Sequence, residues 1–117
     1  MIDGTYAASL ALKAFSKSLA VTANNVANMN TDEYKKSRAI LQESKNGGVE
    51  ISVQKIDTPG SSIPYEEASD VQETGTSNVD LAEEMVHMML SQRGHEANVK
   101  CLQAQDEMIG TILDIVG

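Results

Sequence analysis

The sequence has few of the residues from which small proteins usually build a compact core. Among its 117 residues there are one Phe, three Tyr and no Trp, so that aromatics make up only 3% of the chain. Large aromatic side chains contribute heavily to core burial, and a small chain without them has little to bury on its own. We therefore expect part of its stability to come from contacts with partner molecules.

Residues that carry reactive chemistry are also scarce. Cys101 is the only cysteine, which excludes an intrachain disulfide, and its helical surroundings favour a packed thiol over a reactive one. His87 and His95 stand eight positions apart, a spacing that does not suggest a metal site. The sequence has no glycine-rich phosphate loop and no nucleophile with an adjacent base. We predict no cofactor, no metal and no enzymatic activity, and we assign no role to these three residues.

Positive charge is limited, with 9 basic against 17 acidic side chains and a formal net charge of −8. An acidic chain without a basic stripe is a poor ligand for phosphate backbones, so nucleic-acid binding is not expected. No run of about 18 apolar residues occurs, and we expect no membrane insertion. Asp3 precedes the first basic residue, Lys13, which is not the order of a cleaved signal peptide. We expect either a cytoplasmic protein or export without such a signal.

The sequence divides into an N-terminal helical region (1–30), a β-hairpin and loop region (31–76) and a C-terminal helical region (77–117). The first helix, about residues 4–29, is rich in Ala, Leu, Lys and Ser and has no internal Gly or Pro, so helix propensity favours it. Its apolar positions alternate at spacings of four and three, as in a heptad seam with one polar interruption. These positions are Ala8, Leu12, Phe15, Leu19, Thr22, Val26 and Met29. Leu10, Ala14 and Val21 form a weaker second stripe.

Asparagines are concentrated where the first helix ends, at Asn24, Asn25, Asn28 and Asn30. Asn is a poor interior helix residue and a good terminator. Two interpretations stay open: the side chains bond to free carbonyls or to an adjoining chain, or the helix simply frays into a turn.

The middle region has strand and turn character. Val49, Ile51 and Val53 alternate with polar residues, which is the period of a strand, and residues 37–43 are compatible with an extended chain. Between the two segments lies Asn46-Gly47, a dipeptide that tolerates positive φ and strongly favours a hairpin. We predict a β-hairpin here, followed by an extended loop from about 57 to 77.

Residues 79–115 are predicted to form one long helix, capped by Ser77 or Asn78, with Gly94 and Gly110 as weak points. It carries two apolar seams on roughly opposite sides. The first contains Leu81, Met85, Met88, Gln92, His95, Val99, Leu102, Asp106, Ile109, Leu113 and Val116. The second contains Val86, Leu90, Ala97, Cys101, Ala104, Met108, Ile112 and Ile115.

One partner helix can cover only one of these seams, and the first helix is the only long partner in the chain. The predicted fold is therefore mainly α, with the terminal helices paired as an antiparallel coiled coil and a small β-hairpin and loop segment between them. The uncovered seam favours self-assembly. The alternative is that the hairpin and loop fold over it.

Specific residues at both ends resemble a known family. Residues 19–28 (LAVTANNVAN), followed by Asn30-Thr31 and Tyr34-Lys35, are similar to the N-terminal signature of flagellar basal-body rod and hook axial proteins. Residues 77–81 (SNVDL), 84–86 (EMV), 92–93 (QR), 96–98 (EAN) and 106–108 (DEM) resemble its C-terminal signature. The sequence departs from the family at Glu33, where Gly is common, and at Gly94-His95, where a small residue and an aromatic are usual.

This resemblance implies a structural subunit of the basal-body rod, closest to the short proximal-rod subunits because the middle segment is short. It further implies assembly with copies of itself and with other axial subunits into a helical tube that transmits torque across the periplasm. Export would proceed through the flagellar type III apparatus without signal cleavage. The rival hypothesis is a secreted helical-hairpin effector or a small helical protein-binding module, which would form a closed dimer or bind a different protein.

We expect the assembly interface to combine apolar seam residues with asparagines that set the register, as buried Asn does in coiled coils. The predicted interface residues are Leu12, Phe15, Leu19, Asn24, Asn25, Val26, Asn28, Leu81, Met85, Val99, Leu102, Ile109 and Leu113, and Asn98 is expected to add to the polar registration.

Overall fold

A computed structural model of the protein describes residues 2–61 and 75–117, with side chains from residue 4 onward. In chain order the elements are α1 (Ile2–Ala27), β1 (Ser37–Glu43), β2 (Val49–Lys55) and α2 (Leu81–Val116). The mainly α architecture with one small hairpin is confirmed. Both helices were predicted to within about two residues at each end, whereas the division into 1–30, 31–76 and 77–117 stays a prediction.

The two helices pack against each other in antiparallel orientation. Thr5 Oγ1 donates a hydrogen bond to Gln105 Oε1 (2.8 Å) near one end of the pair, and the hydroxyls of Ser18 and Ser91 are 3.0 Å apart near the middle. Asn25 and Glu84 meet at the other end. The last turns of α2 extend past the start of α1, which faces residues near Gln105.

Small and polar residues line the contact between α1 and α2, in a repeat of seven. The repeat comprises Gly4, Ala11, Ser18 and Asn25 on α1, and Glu84, Ser91, Asn98 and Gln105 on α2. A Cβ on Gly4 would lie 2.9 Å from Gln105 Nε2, and one on Gly94 would lie 2.5 Å from the Phe15 ring, so the backbones approach closely. Along α1 these small and polar residues alternate with members of the predicted seam, of which Ala8 and Thr22 are buried and Phe15 packs over Gly94, and the small side chains permit the close packing.

The hairpin packs against a neighbouring side of α1, and the two contact sides meet at Asn25. β1 and β2 are antiparallel, with Ser37 opposite Lys55 and Glu43 opposite Val49. Ile51 is buried against α1, and Leu10 lies so close to Gly48 that a Cβ there would be 2.6 Å from Leu10 Cδ1. Leu10 belongs to the weaker second stripe predicted for the first helix, which the hairpin covers. Among the described residues, the hairpin thus lies against α1 and does not cover the second seam of α2; the loop named in the same alternative lies largely outside the described residues.

The left-handed residues of the hairpin loop lie one position later than Asn46-Gly47 predicted, while a hydrogen bond from Gly47 N to Ser44 O (3.1 Å) closes a turn around Lys45 and Asn46. Gly47 and Gly48 have φ values of 84° and 85°, and Ser44 N donates to Gly48 O at 3.0 Å to close the loop. Two consecutive glycines supply the left-handed conformations at no steric cost, so Asn46 does not need one. The extended loop predicted from 57 to 77 lies largely outside the described residues.

Asp80 caps α2, and the prediction of Ser77 or Asn78 as the cap is wrong. The Asp80 carboxylate accepts a hydrogen bond from Ala82 N at 3.0 Å. Asn78 is unavailable because its side chain joins two other segments: it accepts from Lys36 N at 2.7 Å and donates to the carbonyls of Ile56 and Thr58, both at 2.9 Å. The start of α2 is thus tied to both ends of the hairpin.

Glu33 adopts a left-handed conformation with φ of 59°, at the position where the resembled family commonly has Gly. This conformation costs an ordinary L-residue about 1–2 kcal/mol, while Asn tolerates it. We expect Glu33→Asn to raise the free energy of unfolding by up to about 1 kcal/mol and Glu33→Val to lower it by more than about 1 kcal/mol. Urea denaturation measures both changes as shifts of the midpoint, provided that the dependence of the free energy on urea concentration is unchanged. Equal midpoints for the two variants would contradict the prediction.

Candidate assembly surface and the polar junction beneath it

Asn25 is the centre of a buried polar junction between α1, α2 and the hairpin. Its side chain is 1% exposed. The amide Nδ2 donates to Ser37 O (2.7 Å) and to Glu84 Oε2 (3.2 Å), while Oδ1 accepts from Ser37 N (3.0 Å) and from the Tyr34 hydroxyl (3.2 Å). Every hydrogen-bonding position of the amide is therefore used within the chain, and its orientation is determined by its partners.

Glu84 is a fully buried carboxylate on the other side of this junction, with 0% exposure. Oε2 accepts from Asn25, while Oε1 has no hydrogen bond and lies 3.7 Å from Arg38 Nη1. A buried charge is tolerated only where an opposite charge or hydrogen bonds compensate for its lost hydration. The Arg38 guanidinium at the start of β1 supplies that charge, which links the hairpin to α2.

The neighbouring carboxylate, Glu83, is more exposed and has three cationic or basic neighbours. Oε1 lies 2.6 Å from Arg38 Nη2 and 3.7 Å from His87 Nε2, and Oε2 accepts from Lys36 Nζ at 3.2 Å. The hydrogen bond from Lys36 lowers the pKa of the Glu83 carboxyl, against the opposing effect of partial burial, and the charge of Arg38 lowers it further. Glu83 and Glu84 on α2 thus form ion pairs with Lys36 and Arg38, which lie on either side of Ser37 at the start of β1.

The other asparagines end α1 locally. Asn28 Nδ2 donates to Asn24 O at 2.9 Å, and the Thr31 hydroxyl donates to Asn28 Oδ1 at 3.2 Å. Asn98, in the middle of α2, donates in the same manner to Gly94 O at 2.8 Å. Of the two interpretations left open for the asparagine cluster, the structure shows elements of both: Asn28 bonds a backbone carbonyl at the helix end, and the chain after Ala27 forms turns, one of them closed by Thr31 N and Asn28 O at 3.0 Å.

The outer surface of α2 exposes large apolar side chains on more than one side. In the second seam, Leu90 is 62% exposed and Ile115 is 79% exposed, and in the first seam Leu113 is 65% exposed. Further large apolar residues with exposed side chains on α2 are Leu81, Met85, Val86, Met89, Met108, Ile109, Ile112 and Val116. We name this set, with Leu90, Leu113 and Ile115, the exposed apolar surface. Such a surface marks an interaction site.

The predicted interface residues are distributed over three environments. Asn25 is buried in the junction. Half-buried side chains near the α1–α2 contact and the end of α1 are Leu12, Phe15, Val26, Asn28, Val99 and Leu102. Exposed side chains are Leu19, Asn24, Leu81, Met85, Ile109 and Leu113. Their part in assembly stays a prediction. The exposed members, which do not contribute to the protomer core, are the ones positioned to contact another molecule.

Sequence reasoning missed Glu84, Arg38 and Asn78 as structural residues. Glu84 lies in a seven-residue polar repeat with Ser91, Asn98 and Gln105, which is in phase with the repeat on α1. That shared period is the signal that would have identified the contact face. Arg38 and Asn78 carry no such signal, because their partners are distant in sequence.

The part of the chain that the structure describes shows no grouping of three metal-ligating side chains. Neither α1 nor α2, as described from residue 2 onward, is long and apolar enough to cross a membrane. Cys101 is exposed on α2 as a free thiol.

Two family models match this chain, one at each end. Residues 6–35 match the family described as Flagella basal body rod protein, and residues 74–115 match the family described as Flagellar basal body rod FlgEFG protein C-terminal. The first match covers α1 from Tyr6 onward and the chain as far as Lys35, and the second includes Asn78 and α2 as far as Ile115. Asn25 and Glu84, the two helical members of the junction, lie one in each match.

Individual relatives match over shorter stretches. The chain is 53% identical over 34 residues to the flagellar basal-body rod protein FlgG of Borreliella burgdorferi, which is 29% of this chain and 13% of the relative. It is 36% identical over 39 residues to the flagellar hook protein FlgE of Escherichia coli, 33% of this chain and 10% of the relative. The matches thus span only about a tenth of each relative's length. Signatures at both ends, in the same order and on the paired helices, establish that the chain belongs to the flagellar basal-body rod protein family.

Proposed function

We propose that this protein is a structural, non-enzymatic subunit of the bacterial flagellar basal-body rod. It assembles with copies of itself and with other axial subunits into a helical tube that transmits torque. The single observation that carries this proposal is the exposed apolar surface, which the protomer leaves open although it pairs α1 with both α2 and the hairpin. In a filament the surface is buried against neighbouring subunits, which removes its contact with water.

The exposed apolar surface extends around α2, and this distribution suits a tube better than a closed dimer. A twofold dimer buries one patch on each copy. Leu90 and Ile115 belong to one seam, whereas Leu81 and Leu113 belong to the other, on a different side of the helix. Covering both needs at least two neighbours, as a subunit inside a helical array has.

We infer that α1 and α2 wind around each other as an antiparallel coiled coil, which forms the inner part of the subunit. The seven-residue repeat in both helices supports this inference, since a strict period of seven imposes a left-handed supercoil. Half-buried Leu12, Phe15, Val99 and Leu102 then pack along its flanks. The hairpin lies on the outside of α1, where it can contact laterally placed neighbours.

The proposed location is the periplasm-spanning rod of the basal body, reached through the flagellar type III export apparatus without a cleaved signal peptide. The segment between the two family matches comprises residues 36–73 and is short. A short middle segment is typical of the proximal-rod subunits that the sequence resembles, and we propose that this chain belongs with them.

Deletion of the gene in the bacterium that makes the protein tests this function. We expect non-motile cells without complete rods, restored by the full-length gene, and recovery of an affinity-tagged copy in detergent-purified basal bodies. Motile cells with normal rods, or a tagged protein absent from basal bodies, would contradict the proposal. The rival, an effector or binding module, predicts a closed dimer by sedimentation at all concentrations, while a rod subunit forms larger species or copolymers.

A further inference from the structure

The contact between α1 and α2 repeats every seven residues, so that, apart from the close approach of Phe15 to Gly94, its layers are alike in having small or polar side chains. Ser18 faces Ser91, and two repeats earlier Gly4 faces Gln105. Sliding one helix by seven residues would again place small or polar side chains opposite each other. None of these layers contains a large apolar side chain, so by themselves they discriminate weakly between the native alignment and its shifted alternatives; Phe15 over Gly94 adds a steric preference between two of the layers.

Among the four small or polar layers, the one formed by Asn25 and Glu84 differs from the others because it contains a fully buried carboxylate. Ser37 is bonded to the Asn25 amide through both its N–H (3.0 Å) and its carbonyl (2.7 Å), so the next residue, Arg38, is fixed beside Asn25. Glu84 reaches Arg38 only when it stands opposite Asn25. If α2 shifted by seven residues along α1 in one direction, Glu84 would lie opposite Ser18. If it shifted in the other direction, Glu84 would lie beyond the end of α1, near Asp32.

We propose that the Glu84 carboxylate, held between Asn25 and Arg38, selects the single register of the two helices and locks the hairpin to that register. This inference concerns the protomer and does not depend on the proposed role in the rod. In a shifted register the carboxylate would be buried beside a serine without a cation, or the layer would be lost, and both are unfavourable. Glu84 Oε1 has no hydrogen bond among the described residues, so the charge of Arg38 is what compensates for its burial. This dependence on Arg38 increases the free-energy difference between the native register and a shifted one.

Pairs of introduced cysteines report the register directly. They are placed in the whole chain after Cys101 has been replaced by serine (Cys101→Ser). Ser18→Cys with Ser91→Cys marks the native alignment, in which the two hydroxyls are 3.0 Å apart. Ser18→Cys with Asn98→Cys and Ala11→Cys with Ser91→Cys mark the two alignments shifted by seven. Disulfides form only between Cα atoms closer than about 7 Å, so each pair reports one alignment. Non-reducing electrophoresis after brief oxidation gives the yield of each cross-link.

Glu84→Gln is the test variant, because it keeps the shape and removes the charge. We expect the ratio of native to shifted cross-links to fall at least about tenfold, and Arg38→Gln to shift it in the same direction. Glu96→Gln, which makes the same charge change at an exposed position of α2, should leave the ratio unchanged. An unchanged ratio in both test variants would overturn the proposal. So would a parallel loss of all three cross-links with loss of helical circular dichroism, which would make Glu84 a stabilising residue without a role in register.

Discussion

Asn25→Ala is expected to lower the free energy of unfolding by about 3–5 kcal/mol, a large fraction of the stability of a domain of this size. The substitution removes a buried amide that makes four hydrogen bonds. Ser37 N–H and C=O lose their partners, and the Glu84 carboxylate loses the one hydrogen-bond donor it has among the described residues. Because each is buried or half-buried, water replaces the lost bonds poorly.

Urea and thermal denaturation measure this effect, and we expect the melting temperature to fall by more than about 10 °C. Asn25→Asp should be at least as destabilising near neutral pH, because it places a second carboxylate beside Glu84 and removes the donor to Ser37. The matched control is Asn24→Ala, since Asn24 is exposed and its one side-chain donor bond, to the Tyr34 hydroxyl, is long at 3.4 Å. Equal losses for Asn24→Ala and Asn25→Ala would refute the assignment of Asn25 as the centre of the junction.

Ile112→Asp is expected to reduce incorporation of the subunit into rods at least tenfold while the protomer keeps its fold. Ile112 is 48% exposed and lies with Ala104 and Met108 on one side of α2, where they line a shallow groove. If a neighbouring subunit covers this groove, the substitution buries a charge without a partner. The cost of several kcal/mol far exceeds the 1.4 kcal/mol that corresponds to a tenfold change in affinity.

Gln103→Asp is the matched control, because it adds the same charge to an exposed position on the polar side of α2, between Lys100 and Glu107. Recovery of tagged subunits in purified basal bodies and swimming in soft agar measure incorporation. Urea denaturation of the purified variants shows that the fold is retained, as expected for a residue already exposed in the protomer. Normal incorporation of Ile112→Asp would remove this part of α2 from the interface.

Leu102→Asp is a less specific test of assembly than the sequence suggested. Leu102 is half-buried beside the α1–α2 contact, so a charge there would also weaken the protomer. The structure thus separates two groups that the apolar pattern had merged: residues that stabilise the helix pair, and residues that remain open for neighbours.

The sequence by itself determined the element types, the hairpin and the family. Helical period and the absence of internal Pro were sufficient for α1 and α2, and period-two alternation with glycines was sufficient for β1 and β2. These signals are local, because a residue's helical or extended preference depends on neighbours a few positions away. The exposed second seam of α2 was also evident in the sequence, since it follows from the same period.

Only the tertiary structure decided which face of each helix meets the other and what holds the junction together. Hydrophobicity alone favoured seams centred on Leu, Met and Val, but close backbone approach placed Gly4, Ser18 and Ser91 at the contact and Phe15 over Gly94. The bond between Asn25 and Glu84 spans 59 positions of sequence, and Arg38 comes from a third element. No local preference encodes such a meeting, because it depends on the register in which two helices and a hairpin pack together.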